Sequence, residues 1–252
     1  MLLVERTEHP MKSVGSVSDA LHNERGRLLR SGTAERVTEI LREQITGGLF
    51  EPGVRLSEES IGEALGVSRN TLREAFRLLS HERLVVHELH RGVFVRVLTA
   101  ADVSDLYLLR HVVEGAAVRS AASGEPDLRA LIAIVEQAEA AATAKRWSEV
   151  ATFDLQFHQE LVGLAGSPRL NSLMQRLLAE LRLAFHVMSH PGEFHEPYLL
   201  RNRSLVSLLQ AGKSDQAAAE LQAYLDDAQA QLLHAFGQRD AGTSTESKHQ
   251  PR

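Results

Sequence analysis

One stretch, residues 56–76, LSEESIGEALGVSRNTLREAF, constrains this chain more than any other. Read physically, it is two short helices meeting at a tight turn. Ser57 can cap the first, and Glu58 and Glu59 suit a helix N-terminus, where the backbone dipole favours negative charge. Ile61, Ala64 and Leu65 form one apolar stripe. Gly66 tolerates the positive φ that a tight turn demands, and Val67 plugs the corner. Ser68 caps the second helix, in which Leu72, Ala75, Phe76 and Leu79 recur at i, i+3, i+4, i+7. Beside that apolar face run Arg69, Arg73 and Arg77, joined in the first turn by Asn70 and Thr71. Arg can pair with guanine through two hydrogen bonds, Asn can do the same with adenine, and Thr can touch a thymine methyl or a phosphate. An exposed first turn of this kind suits the major groove of DNA, and the whole pattern is a helix-turn-helix.

The rest of the chain reads as mainly α. Ala and Leu are abundant while aromatics are only 5% of the 252 residues, a balance that favours helices. Residues 1–31 are polar and without sustained periodicity, so they read as a flexible arm whose Arg25, Arg27 and Arg30 belong to solvent. Thr33 can cap a helix ending near Thr46, with Val37, Ile40, Leu41 and Ile45 on one face. Gly47-Gly48 ends it and Pro52-Gly53 marks a turn. Past the helix-turn-helix, residues 84–87 and 93–97 read as two short strands around Arg91-Gly92, a hairpin whose tip can reach a minor groove or phosphates. The DNA-binding half is therefore placed at 32–98, with a linker at 98–102. About six helices follow over 101–236: near 101–123, 127–144, 147–165, 168–189, 195–211 and 214–236. Pro197 is expected in the first turn of its helix or before it. Residues 237–252 read as a flexible tail.

Charge narrows the possibilities. The formal net charge is −5, and residues 31–98 carry nine Lys/Arg against ten Asp/Glu. Affinity for DNA must then come from where the arginines sit rather than from bulk charge. No cysteine is present, which removes disulfides and thiolate chemistry. No apolar run approaches the roughly 20 residues of a membrane helix, and no signal-peptide core is seen, so the expected location is the cytoplasm.

Residues 36–96 resemble the winged helix-turn-helix of the GntR family of bacterial transcription regulators. The resemblance rests on Ile45, Gly48-Leu49, Pro52-Gly53, Leu56, Leu65-Gly66-Val67-Ser68-Arg69, Leu72-Arg73-Glu74-Ala75, Leu78-Leu79, Leu84-Val85 and Arg91-Gly92-Val93-Phe94-Val95. DNA contact is accordingly expected from Arg55, Ser68, Arg69, Asn70, Thr71, Arg73, Arg77, Arg91 and Gly92. The second half resembles the all-helical effector-binding FCD domain of the FadR subfamily, through Asp105-Leu106-Tyr107-Leu108-Leu109-Arg110 with Glu114, Asp154-Leu155-Gln156-Phe157-His158, and Leu205 and Leu208 before Ala211-Gly212.

Asp154 and His158, four apart on one helix, leave from the same face. Such a pair can chelate a divalent metal such as Zn or Ni, hydrogen-bond a ligand, or form a buried structural pair. The FCD resemblance implies two further histidines on the last two helices, at positions occupied here by Asn202 and Tyr224. A metal held by Asp154 and His158 would need other ligands, from His186, His190, His195 or the effector itself. The favoured expectation is a metal-free pocket in which Asp154, His158, Asn202 and Tyr224 bind a small molecule directly. Resemblance also places Arg110 at the pocket, as a bidentate clamp for a carboxylate; an internal Arg110–Glu114 ion pair is the equal alternative.

The expected function is that of a metabolite-responsive DNA-binding regulator, a homodimer on a short palindromic operator, with no catalytic residue. Family habit implies repression relieved by a small organic acid. An enzyme using Asp154 and His158 as acid and base lacks any nucleophile or phosphate-loop motif and leaves the winged helix unexplained. A scaffold using the helix-turn-helix for protein contacts would show no salt-sensitive DNA affinity. About 150 residues after the wing are too few for the aminotransferase-like domain that some GntR members carry.

Overall fold

The computed structural model describes residues 32–121, 126–188 and 191–246, with side chains through 238. The arm at 1–31, Gly124-Glu125 and His190 lie outside the described residues. The first helix, α1 (32–46), buries Val37, Leu41 and Ile45. Ile40 is 41% exposed, because residues at 37, 41 and 45 already fill the narrow buried stripe and 40 points off it. A short strand β1 (Arg55–Leu56) leads into α2 (Glu58–Leu65) and α3 (Arg69–His81). Ser57 accepts a hydrogen bond from the Ser60 amide and Ser68 one from the Thr71 amide, so both helices start at the expected caps. Gly66 closes α2 with φ +64°, the left-handed conformation anticipated from its place in the motif.

The hairpin consists of β2 (Val85–Glu88) and β3 (Gly92–Val95), antiparallel, with His87 opposite Val93. The sequence pattern did not reveal β1, which pairs with the other edge of β3 to make the order β1-β3-β2. It forms because Gly53, at φ +86°, donates to the Val95 carbonyl while Val54 accepts from the Val95 amide, laying the segment alongside the wing.

Helices α4 (Ala100–Ala121), α5 (Arg129–Thr143), α6 (Trp147–Gly163), α7 (Pro168–Ala184), α8 (Pro191–Gln210) and α9 (Ser214–Glu246) form the bundle. A reciprocal cap starts α4: the Asp102 carboxylate accepts from the Thr99 amide while the Thr99 hydroxyl accepts from the Asp102 amide. Helix α4 packs along α9, and α6 occupies the middle, touching α4, α5, α7 and α8. One continuous core runs from Leu72, Phe76 and Leu79 through Leu98 and Val103 to Phe157, Leu161 and Met174.

Two expectations need correction. Helix α8 begins at Pro191 and not near 195, so Pro197 lies in its second turn and leaves the Glu193 carbonyl without its usual donor. The first turn of α8 packs closely on α6: a Cβ on Gly192 would come within 2.9 Å of the Trp147 indole. Helix α9 runs on to Glu246, past the expected end at 236, because Gly237 does not take a positive φ and does not stop it. Among the described residues no helix is long and apolar enough to cross a membrane.

Candidate nucleic-acid interface and buried polar cluster

On α3, the apolar face is buried at Leu72, Ala75, Phe76 and Leu79, which leaves the arginine stripe outward. The side chains of Arg69 and Asn70 are exposed and have no partner among the described residues. Arg73 and Arg77 are exposed but engaged, Arg73 with Glu58 across the turn (3.1 Å) and Arg77 with Glu74 on its own helix (2.6 Å). Ser68 and Thr71 face each other, hydroxyl to hydroxyl at 2.8 Å, so both are committed to starting the helix. At the wing, Arg91 pairs with Glu88 and lies 5.4 Å from the centre of the Phe94 ring. β1 places Arg55 opposite Phe94, and its Nε sits 3.2 Å from where a Cβ on Gly92 would be. Arg55, Arg91 and Gly92 (φ +111°) are thus gathered by the sheet. These ion pairs are exposed and screened by solvent, so phosphates can replace the glutamates at small cost. The acidic partners also explain how an arginine-bearing face coexists with a near-neutral domain.

Inside the bundle, four helices contribute to a buried polar cluster. The Tyr224 hydroxyl from α9 donates to Asp154 Oδ1 at 2.8 Å, and Asn202 Nδ2 from α8 donates to the same oxygen at 3.0 Å. His158, one turn beyond Asp154 on α6, does not join that oxygen. Its Nδ1 lies 2.6 Å from Glu114 Oε2, while its ring packs edge-on against Tyr224 at 5.0 Å. From α4, Arg110 Nε donates to Glu114 Oε1 at 2.6 Å, and its guanidinium covers the Tyr107 ring at 4.9 Å. The internal ion pair is therefore present, 3% and 0% exposed at its two side chains.

Electrostatics follow from this wiring. Burial pushes the Glu114 carboxyl upward, but Arg110 and His158 outweigh it and keep the group below the usual carboxylate range. Held as a carboxylate, Glu114 faces the Nδ1 edge of His158 and orients the ring, whose Nε2 has no partner among the described residues. Burial lifts the Tyr224 phenol well above its ordinary value, as does the adjacent Asp154 carboxylate, so Tyr224 stays a hydrogen-bond donor.

Several polar atoms of this cluster are buried without a partner: Arg110 Nη2, His158 Nε2, Asn202 Oδ1 and the Tyr198 hydroxyl. Tyr198 was not among the expected site residues, and His195 entered only as a candidate additional metal ligand. The signal for them was their spacing: 195, 198 and 202 lie at i, i+3 and i+7 on α8. Glu114 was seen only as a partner for Arg110, whereas it also orients His158.

The donor set does not fit a metal. Among the described residues no group of three His, Cys, Asp or Glu is placed to hold one. Asn202 and Tyr224, at the positions where the FCD resemblance implies histidines, hydrogen-bond Asp154, and His158 turns to Glu114.

Comparison with known proteins agrees with both halves. The model of bacterial regulatory proteins of the gntR family matches residues 33–95, and that of the FCD domain matches residues 105–227. The Nta operon transcriptional regulator of Aminobacter aminovorans is 29% identical over 212 residues, covering 81% of this chain and 96% of its own length. The transcriptional repressor RspR of Escherichia coli is 27% identical over 196 residues, 77% of this chain and 86% of its own. A crystal structure of a GntR transcriptional regulator from Rhodococcus sp. RHA1 superposes with a TM-score of 0.76 at 46% identity, covering 80% of this chain and 98% of that one. With a winged helix that exposes its arginines and a helical half matching along its length, the chain belongs to the GntR family of bacterial regulatory proteins, as a transcriptional regulator with an FCD domain.

Proposed function

We propose that the protein is a repressor, acting in the cytoplasm as a homodimer on a short palindromic operator and released by a small organic acid bound directly in the FCD bundle. The observation that carries the effector reading is the set of buried, unpartnered polar atoms beside Asp154: Arg110 Nη2, His158 Nε2, Asn202 Oδ1 and the Tyr198 hydroxyl. Leaving each unsatisfied costs about 1–3 kcal/mol, a cost that a bound polar molecule removes. Arg110 can turn one edge of its guanidinium to a carboxylate while the other stays on Glu114. Repression is supported by the names of relatives, RspR and two gluconate operon transcriptional repressors.

DNA reading is assigned to Arg69, Asn70, Arg73 and Arg77, with Ser68 and Thr71 building the helix start and Arg55, Arg91 and Gly92 serving the wing. A second copy is supported by the open apolar face of α4, where Leu108 and Val112 are 61% and 62% exposed. One winged helix offers few base contacts, and two on matched half-sites multiply the discrimination.

Mobility-shift assays on DNA upstream of the protein's own gene test the reading. Arg69→Ala should lose about 10- to 100-fold in specific affinity, with helicity unchanged. Normal binding by both Arg69→Ala and Arg73→Ala would refute the reading helix. A thermal-shift screen over small organic acids, with and without divalent metal, tests the effector site. Stoichiometric Zn or Ni lost in Asp154→Ala would overturn direct binding.

A further inference from the structure

One cavity lies where the two halves of the protein meet, apart from the cluster around Asp154. It measures about 360 Å³ and is lined by the last turn of α1 at Thr46 and Gly47, by Leu155 and Gln159 on α6, and by Leu178 and Arg182 on α7. Its walls are mostly apolar, yet two of the residues that line it, Arg182 and Gln159, each keep a buried polar atom without a partner, Nη1 and Oε1. The Gln159 amide is oriented by its other end, since Nε2 donates to the Asn171 carbonyl at 3.2 Å.

Arg182 differs from the other buried arginine. Arg110 has a carboxylate against it, whereas Arg182, 9% exposed, has no carboxylate within ion-pair distance among the described residues. Its Nε donates to the Thr46 carbonyl at 2.9 Å, and its Nη2 reaches the Ser148 carbonyl and hydroxyl at 3.3 and 3.2 Å. The Asp154 carboxylate acts on it only from beyond ion-pair distance; carbonyl dipoles orient a guanidinium but do not neutralise it, and a buried cation without a close counter-charge is a costly thing to keep. Two other charged side chains line the cavity. Arg42 is spent on Glu82 at 2.6 Å, and Glu43 is exposed at the rim. The interior charge is therefore positive, on an apolar background.

We propose that this interdomain cavity is a second ligand site, taking a small aliphatic carboxylic acid whose carboxylate pairs with Arg182 while its chain lies against Leu155 and Leu178. Gln159 Oε1 is positioned to accept a hydrogen bond from a hydroxyl carried beside that carboxylate. Because Arg182 also grips the carbonyl of Thr46 at the end of α1, a ligand there would bear on both halves of the molecule at once.

Calorimetric titration of the full-length protein with sodium hexanoate is the test. Wild-type protein should bind it saturably, while Arg182→Gln should lose at least tenfold in affinity. Ala179→Phe, which fills the cavity from α7, should lose as much; it decides the matter alone if Arg182→Gln does not fold. Undiminished binding in Ala179→Phe, a loss in Asn202→Ala instead, or no saturable binding to the wild type would each overturn the proposal. A failure confined to these variants leaves the reading of the Asp154 cluster standing, since that site is probed by its own substitutions.

Discussion

Tyr198 shows how a single atom can serve binding at the expense of stability. Its hydroxyl is buried without a partner, so removing it removes a desolvation cost. Tyr198→Phe should therefore raise the melting temperature of the ligand-free protein, by about 1 kcal/mol of stability, and at the same time weaken effector binding. A variant that is less stable, or that binds as the wild type does, would separate Tyr198 from the site. His195 makes a comparable point about protons. Burial against Phe185 and Phe194 holds its pKa down at about 4, from an ordinary 6.5. As pH falls below 6.5, the unfolded chain takes up a proton that the native state refuses until about pH 4. Stability therefore declines with acidification across that window, by about 3 kcal/mol in total, and the contribution is flat above it. Denaturant melts at pH 7, 5.5 and 4 should show this decline in the wild type and a flatter profile in His195→Leu. Superimposable profiles would contradict it.

Among the elements, the wing depends on one backbone conformation. Gly92 has φ +111°, and a Cβ there would meet the Arg55 guanidinium at 3.2 Å. Gly92→Ala should strain the hairpin by about 1–2 kcal/mol and displace Arg55. DNA affinity should then fall severalfold while far-ultraviolet circular dichroism stays unchanged; full affinity would show that the wing's arginines contribute little. The wing is also tied to the bundle, since Arg96, just after β3, pairs with Asp102 at 2.5 Å and with Glu180 on α7. Much at this scale could be read in advance. The caps at Ser57 and Ser68, the left-handed Gly66 and the period of α3 are local matters, set within a few residues. Three features could not be. Strand β1 exists only because β3 offers it an edge, α8 starts at Pro191 with Gly192 packed against the Trp147 indole, and α9 outruns Gly237.

For the whole molecule, the exposed face of α4 is the relevant feature. A negative charge at Val112 should be tolerated by the monomer, since the residue is 62% exposed there, but not by a packed apolar interface. Val112→Glu is expected to elute as a monomer in size-exclusion chromatography with light scattering, and to lose operator affinity by at least tenfold although every DNA-facing residue is intact. A Val112→Glu dimer would move the interface elsewhere. Charge at this scale is also informative. The exposed arginines of the DNA-binding half are balanced by Glu58, Glu74 and Glu88, so Glu58→Gln should strengthen non-specific DNA binding while leaving the melting temperature nearly unchanged.

The amino-acid order alone determined the winged helix, the run of helices behind it and the residue types at the two sites, because capping, turning and amphipathic period act between residues close in the chain. Asp154, His158, Arg110, Asn202 and Tyr224 could all be named from spacing and resemblance. How they are wired was decided only by tertiary packing: Asn202 and Tyr224 converge on Asp154, while Glu114 stands between Arg110 and His158. Partners separated by 44 to 70 positions in the chain meet only when the helices dock, and a hydrogen bond is far more sensitive to angle and distance than a helical period is. Arg182 is the extreme case, an ordinary arginine in an amphipathic helix until docking buries it between Thr46 and Ser148.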